Sequence, residues 1–185
     1  MAQADGGRLT PVELRALAAS PCQDLYPDER IRTIVVDNFP ALGKLAALRF
    51  LEWVQDHPEG VVSLPTGKTP EHFIRWVGQF VRGWDQPGTA AALEAGGLDP
   101  GRKPRLDGLR FVQIDEFYPI DPTQENSFHA YVSRFYLDGF GLSRDRALLM
   151  DCRSIGLRAG ESLQQVWPTG AVDLSLRYRA PRDGL

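Results

Sequence analysis

Three times along this chain, a short run of apolar and β-branched residues gives way to a helical rhythm. That alternation constrains the fold more than any other feature. Residues 31 to 37, "IRTIVVD", have strand character, and Pro40 to Gln55 then place Leu42, Leu45, Leu48, Leu51 and Trp53 in helical spacing. Val61 to Leu64 read as a second, buried strand, followed by a helix over Pro70 to Trp84 with Phe73, Trp76, Val77 and Phe80 on its apolar side. Leu109 to Ile114, "LRFVQI", is a third strand, and Ser127 caps a helix to Leu137 that carries Phe128, Tyr131, Val132, Phe135 and Tyr136. One more strand fits Ala147 to Met150. Thr10-Pro11-Val12-Glu13 predicts a capped helix over Pro11 to Ala19, and the Gly/Pro/Ala-rich excursion from Asp85 to Leu106 has room for a short helix at Thr89 to Leu98. Strands joined by helices pair in parallel, so the pattern predicts an α/β fold with a mostly parallel sheet and helices on both faces, in three α/β/α layers.

Length and composition narrow the partners. With 185 residues, 43% of them apolar, the chain can build a real core and reads as a single domain over residues 1–185. A formal charge of -3, drawn from 21 basic and 24 acidic residues spread along the length, offers no polycation for nucleic acid or an anionic membrane. Cys22 and Cys152 have no paired spacing, so neither a zinc cluster nor a disulfide framework is expected. Without a basic-then-apolar leader at Met1 to Gly7 or an apolar run near 18 residues, the cytoplasm is the expected location. A small-molecule ligand is the best first reading.

Two loops that follow strands carry the chemistry. Pro65-Thr66-Gly67-Lys68-Thr69-Pro70 joins a strand to a helix, where backbone N–H groups and the positive end of the helix dipole favour a phosphate or carboxylate. Gly67 lets the backbone approach an anion, and Thr66, Lys68 and Thr69 add donors. Position 62 is Val, so this is not a Walker A loop. The same residues also suit a plain turn with Thr69 as N-cap and Pro70 as first helical residue. In the second loop, Asp115 and Glu116 stand where a buried strand opens out. Partial desolvation there would raise a carboxylate pKa toward that of a usable base. Adjacent side chains of an extended segment diverge, so one carboxylate would face a ligand while the other fixes the loop, unless both are solvated loop acids. Ligands of parallel sheets bind at the carboxyl ends of the strands, and both loops lie on that edge.

The stretches "SLPTGKTPEHF" at Ser63 to Phe73 and "VQIDEFYPIDPTQENSFHAYVSRFY" at Val112 to Tyr136 resemble the amino-terminal half of the glucosamine-6-phosphate deaminases, also called isomerases. These share a Rossmann-like fold group with 6-phosphogluconolactonases and ribose-5-phosphate isomerases. The likeness runs from about residue 34 to 150, leaving 151–185 as a divergent or truncated continuation and the sheet incomplete at its C-terminal end. Asp115-Glu116-Phe117 and Ser127-Phe128 match the family pattern, whereas the lactonases usually carry Asp-Glu-Arg. The resemblance implies conversion of glucosamine 6-phosphate and water to fructose 6-phosphate and ammonia, without metal or organic cofactor. It casts Asp115 as the base that moves a proton between C2 and C1, with Glu116 and Ser127 in support. Thr66, Gly67, Lys68 and Thr69 match the sugar-phosphate loop, Lys68 standing where many members have a small residue.

The resemblance also implies a later motif of the type Gly-x-Gly-x-x-Gly-His, which carries the ring-opening histidine, and no stretch of this sequence matches it. His57, His72 and His129 read as ordinary surface or half-buried residues. The chain is therefore expected to be the first part of such an enzyme, inactive or weakly active alone. The alternatives are a sugar-phosphate-binding module without catalysis and a 6-phosphogluconolactonase-like hydrolase. The expected partners are a phosphorylated amino sugar and, since an incomplete sheet exposes apolar surface, further copies of the chain.

Overall fold

The computed structural model describes residues 9–22, 33–154 and 157–166. Helix α1 (Pro11–Ala18) opens as its sequence requires: the Thr10 hydroxyl accepts from the Glu13 amide at 3.3 Å and the Glu13 carboxylate accepts from the Thr10 amide at 2.9 Å. It is tied to α2 (Phe39–Asp56) through Glu52, a buried carboxylate that accepts from the Val12 amide at 3.1 Å and pairs with Arg49. Asn38 caps α2, its side chain accepting from the Ala41 amide at 2.9 Å.

The sheet has three parallel strands in the order β1 (Val61–Val62), β2 (Arg110–Val112), β3 (Ala147–Leu148). Helices α3 (Glu71–Arg82) and α4 (Pro87–Ala95) connect β1 to β2. Helix α5 (Phe128–Val132) runs into a π-helical segment, Ser133–Asp138, on the way to β3, and a short α6 (Leu163–Val166) follows. The strand expected over Val61 to Leu64 is shorter than its pattern because the Ser63 hydroxyl, not a backbone amide, donates to the Val112 carbonyl at 2.6 Å. Of the strand expected at 31 to 37, residues 31 and 32 lie outside the described residues. The remainder is not part of the sheet, and the Ser20 hydroxyl takes the Val35 carbonyl at 2.8 Å.

One face of the sheet is core. Val62 and Phe111 are paired neighbours, both buried, and pack with Leu51, Val77, Phe80, Leu93, Val132 and Tyr136 in one apolar cluster. The other face presents Val61 at 61%, Ile114 at 53% and Leu148 at 70% exposure. The second layer of helices expected from the alternation is thus missing among the described residues. Topology gives the reason: when strand order advances in one direction, right-handed crossovers deliver every connecting helix to the same face.

Helices α2 and α3 cross tightly at Gly43. A Cβ built there would lie 2.4 Å from the His72 Cβ and 2.9 Å from the Phe73 amide nitrogen, both near rigid backbone. Gly43→Ala should therefore destabilise the protein by about 1–3 kcal/mol through overpacking, read as a lower midpoint in urea melts. An unchanged midpoint would mean that the crossing is not tight in solution.

Candidate functional site

Because β1 and β2 are adjacent and parallel, the loops after them open on one edge. In the first loop, Gly67 has φ +86°, a conformation that explains the glycine by itself, since an added Cβ would meet no heavy atom within 4 Å. Thr66 is half-buried, while Gly67, Lys68 and Thr69 are exposed. The plain-turn expectation is corrected in detail: Pro70, not Thr69, is the N-cap of α3, and no side chain caps that helix. Glu71 closes the turn onto the Lys68 carbonyl at 3.2 Å. Among the described residues, no protein acceptor takes the amides of Thr66, Gly67, Lys68 or Thr69. The loop also borders a largely apolar cavity of about 450 Å³ between α2 and α3, whose walls include Leu42, Phe50, Leu64, Thr69 and Phe73.

The second loop separates its two carboxylates completely. Glu116 turns into the start of α5, where its oxygens accept from the amides of Phe117 at 3.0 Å, Phe128 at 2.9 Å and His129 at 2.7 Å and from the Ser127 hydroxyl at 2.8 Å. Ser127 caps the same helix, its oxygen accepting from the Ala130 amide at 3.3 Å. Burial pushes the Glu116 carboxyl up, but the His129 and Phe128 amides, the Ser127 hydroxyl and the Phe117 amide together hold it below its ordinary value. The desolvated, high-pKa base expected at this border is therefore not Glu116. Nor is Asp115 desolvated: it is exposed, and no hydrogen bond or ion pair engages its carboxylate among the described residues.

The Asp115 backbone is nonetheless held. Gln113, buried at 2% exposure, donates to the Asp115 carbonyl at 2.8 Å and accepts from the Met150 amide at 2.9 Å, locking the ends of β2 and β3 together. Sequence reasoning gave Gln113 no role, although a lone amide at an inward strand position must find partners. It likewise read Tyr131 and Tyr136 as apolar helix positions. In the structure, the Tyr131 hydroxyl donates to the Gly67 carbonyl at 2.8 Å and the Tyr136 hydroxyl to the Pro65 carbonyl. Of the three histidines, His57 stacks on Trp53 at 4.9 Å and His72 meets the Phe39 ring edge-on at 5.5 Å, while His129 joins the Glu116 cap through its backbone amide. Among the described residues, no cluster of His, Cys, Asp or Glu could hold a metal ion, and no helix is long and apolar enough to cross a membrane.

No protein-family model matches the chain. Glucosamine-6-phosphate deaminase of Bacillus velezensis is 25% identical over 153 residues, an alignment covering 79% of this chain and 54% of the relative. Over that alignment the chain is similar in sequence to a glucosamine-6-phosphate deaminase. The solved structure of a monomeric glucosamine-6-phosphate deaminase, described as a missing link of the NagB superfamily, superposes with a TM-score of 0.50 at 18% identity, over 67% of this chain and 44% of that one. That likeness supports the α/β fold. The chain spans about half the length of the deaminases it matches.

The Glu116 cap gives a pH signature. Its folded pKa lies below the ordinary 4.5, so its contribution to stability is fully present above that value and is lost as pH falls through the folded pKa. Glu116→Gln, which sets an amide against amides, should lower Tm at pH 7, and its gap to the parent should narrow steadily below pH 4.5. A gap independent of pH would show that the charge is not what the cap uses.

Proposed function

We propose that this chain is the sugar-phosphate-binding and isomerising part of a deaminase-type enzyme, acting in the cytoplasm on a phosphorylated amino sugar such as glucosamine 6-phosphate. The observation that carries the reading is the pairing of two adjacent strand ends. One bears the run of uncommitted amides at Thr66 to Thr69, and the other bears Asp115 with its carboxylate free. Amides at a strand-to-helix turn suit a phosphate, with the Lys68 ammonium and the Thr66 and Thr69 hydroxyls as further donors. Glu116, spent on the α5 cap, and Ser127 hold the loop that presents Asp115.

Asp115 then acts on the open-chain sugar. It takes the proton from C2 while the electron pair of that bond forms a C1–C2 double bond and the aldehyde oxygen takes up a proton; the resulting enolamine is then protonated at C1 by Asp115, and its nitrogen gives up a proton. This leaves a C2 imine, which water hydrolyses to the ketone and ammonia. The atoms balance as glucosamine 6-phosphate plus water to fructose 6-phosphate plus ammonia. Residues 1–185 are proposed to form one domain, consistent with the single core cluster that unites α1 to α5.

A second reading is a binding module with no turnover, favoured by the packing of the His57 and His72 rings on Trp53 and Phe39. Solution measurements separate the two. Calorimetry should detect glucosamine 6-phosphate binding by the parent chain, weakened about tenfold or more by Gly67→Val, since a β-branched residue is strained at φ +86°. No heat at millimolar ligand would defeat both readings. In deuterium oxide, the parent should exchange the C2 proton of the sugar, detected by NMR, and Asp115→Asn should slow this by about 10²- to 10⁴-fold. Binding without exchange leaves the module, and exchange that survives Asp115→Asn removes Asp115 as the base.

The exposed outward face carries a further prediction. Parallel sheets are normally covered on both faces, so the chain alone should self-associate, seen as a concentration-dependent mass in light scattering. Replacing Leu148 with Lys should reduce it. A monodisperse monomer at all concentrations would count against association.

A further inference from the structure

The carbonyls of Pro65 and Gly67 are each taken by a phenol, from Tyr136 and Tyr131 respectively. Both tyrosines stand on the helical stretch that opens at Ser127, their ring centroids 6.1 Å apart. A peptide unit is planar, and in its trans form the N–H points opposite to the C=O. The cis bond found among the described residues is Tyr118–Pro119, so the units 65–66 and 67–68 are trans. Drawing the Pro65 and Gly67 carbonyls toward the tyrosines therefore turns the N–H groups of Thr66 and Lys68 to the opposite side. There, no protein acceptor takes them among the described residues.

We propose that Tyr131 and Tyr136 are positioning residues for the anion loop, their hydroxyls orienting two peptide planes so that the Thr66 and Lys68 amides face a bound phosphate together. This rests on the reading of the loop as a phosphate cradle given above. Packing alone does not account for the hydroxyls. The Tyr136 ring is fully buried against Phe111 and Phe140, and phenylalanine would make the same contacts without the tie to Pro65. Both phenols stay protonated donors at neutral pH: burial pushes that of Tyr136 well up, and burial with the nearby Glu71 carboxylate raises that of Tyr131. Thr66 and Lys68 are the first and third residues of a turn centred on Gly67. Unheld, each peptide plane can flip at little cost beside a glycine, and the binding of an anion then has to order the loop.

The test uses the whole chain, with inorganic phosphate as probe and backbone NMR as readout. Phosphate should shift the Thr66 and Lys68 amides of the parent, and Tyr131→Phe should weaken phosphate binding about fivefold, the worth of one ordinary hydrogen bond. The heteronuclear NOE of those two amides should fall in the variant while Tm changes little, a response that a purely structural role would not give. Tyr136→Phe should act in the same direction. If it fails to fold, half-buried Tyr131 carries the test. Parental affinity together with parental amide order in Tyr131→Phe would overturn the proposal. If the parent binds no phosphate, the cradle reading fails, and the amide order alone decides the role of the tyrosines: reduced order in the variant supports it and unchanged order overturns it.

Discussion

A half-buried carboxylate at the mouth of a helix organises this edge of the molecule. Glu116 collects three backbone amides and a hydroxyl, and in doing so joins the end of β2 to the start of α5. Charge-assisted hydrogen bonds of this kind are the strong ones, and here they satisfy donors that every helix start leaves unpaired. With Glu116 committed, Asp115 is the carboxylate left free, and its backbone is held from the strand side by Gln113. With α5 committed, Tyr131 and Tyr136 are delivered to the neighbouring loop. The two loops are thus fixed by one chain of contacts that starts from one side chain. The same cap fills the α5 N-terminus with an internal anion, so that helix end has no vacancy for a ligand, while the α3 loop keeps its amides open.

Much of this was legible in the sequence. Thr10, Pro11 and Glu13 announced the first helix, Ser127 the fifth, and the apolar periods located β1, β2 and the helices between them. Gly67 was read as an opening for an anion, whereas its φ of +86° explains the glycine by itself. What stayed hidden depends on groups far apart in sequence. That Asp115 and Glu116 diverge follows from chain geometry, but which one is free is decided by amides a dozen residues later. Strand character at residues 33 to 37 records β propensity, and propensity does not supply a ladder partner. The Tyr131 and Tyr136 hydroxyls were invisible to a pattern that counts rings as apolar, and Gln113 was overlooked inside a hydrophobic strand. Pro70 displaced Thr69 from the cap because its ψ of 6° is not helical, which delays the helix to Glu71.

The single-faced sheet follows from equally simple geometry. A strand order that never reverses stacks its crossovers on one side, whatever the sequence says about the other. Val61, Ile114 and Leu148 have the residue types of a covered face and the exposure of an open one. This mismatch fits a chain that spans about half the length of the deaminases it resembles.

The π-helical segment Ser133–Asp138 has a consequence of its own. On a regular α-helix, residues three and four apart are neighbours, and residues five apart turn away from each other. A π turn closes from residue i to i+5, widening the coil and carrying a later side chain back toward an earlier one. Tyr131 and Tyr136 are five apart, yet both reach carbonyls of one short loop. Their partnership is thus a matter of helical phase: five apart on a regular α-helix the two hydroxyls would point in different directions, and the wider winding of the π segment returns them to one side.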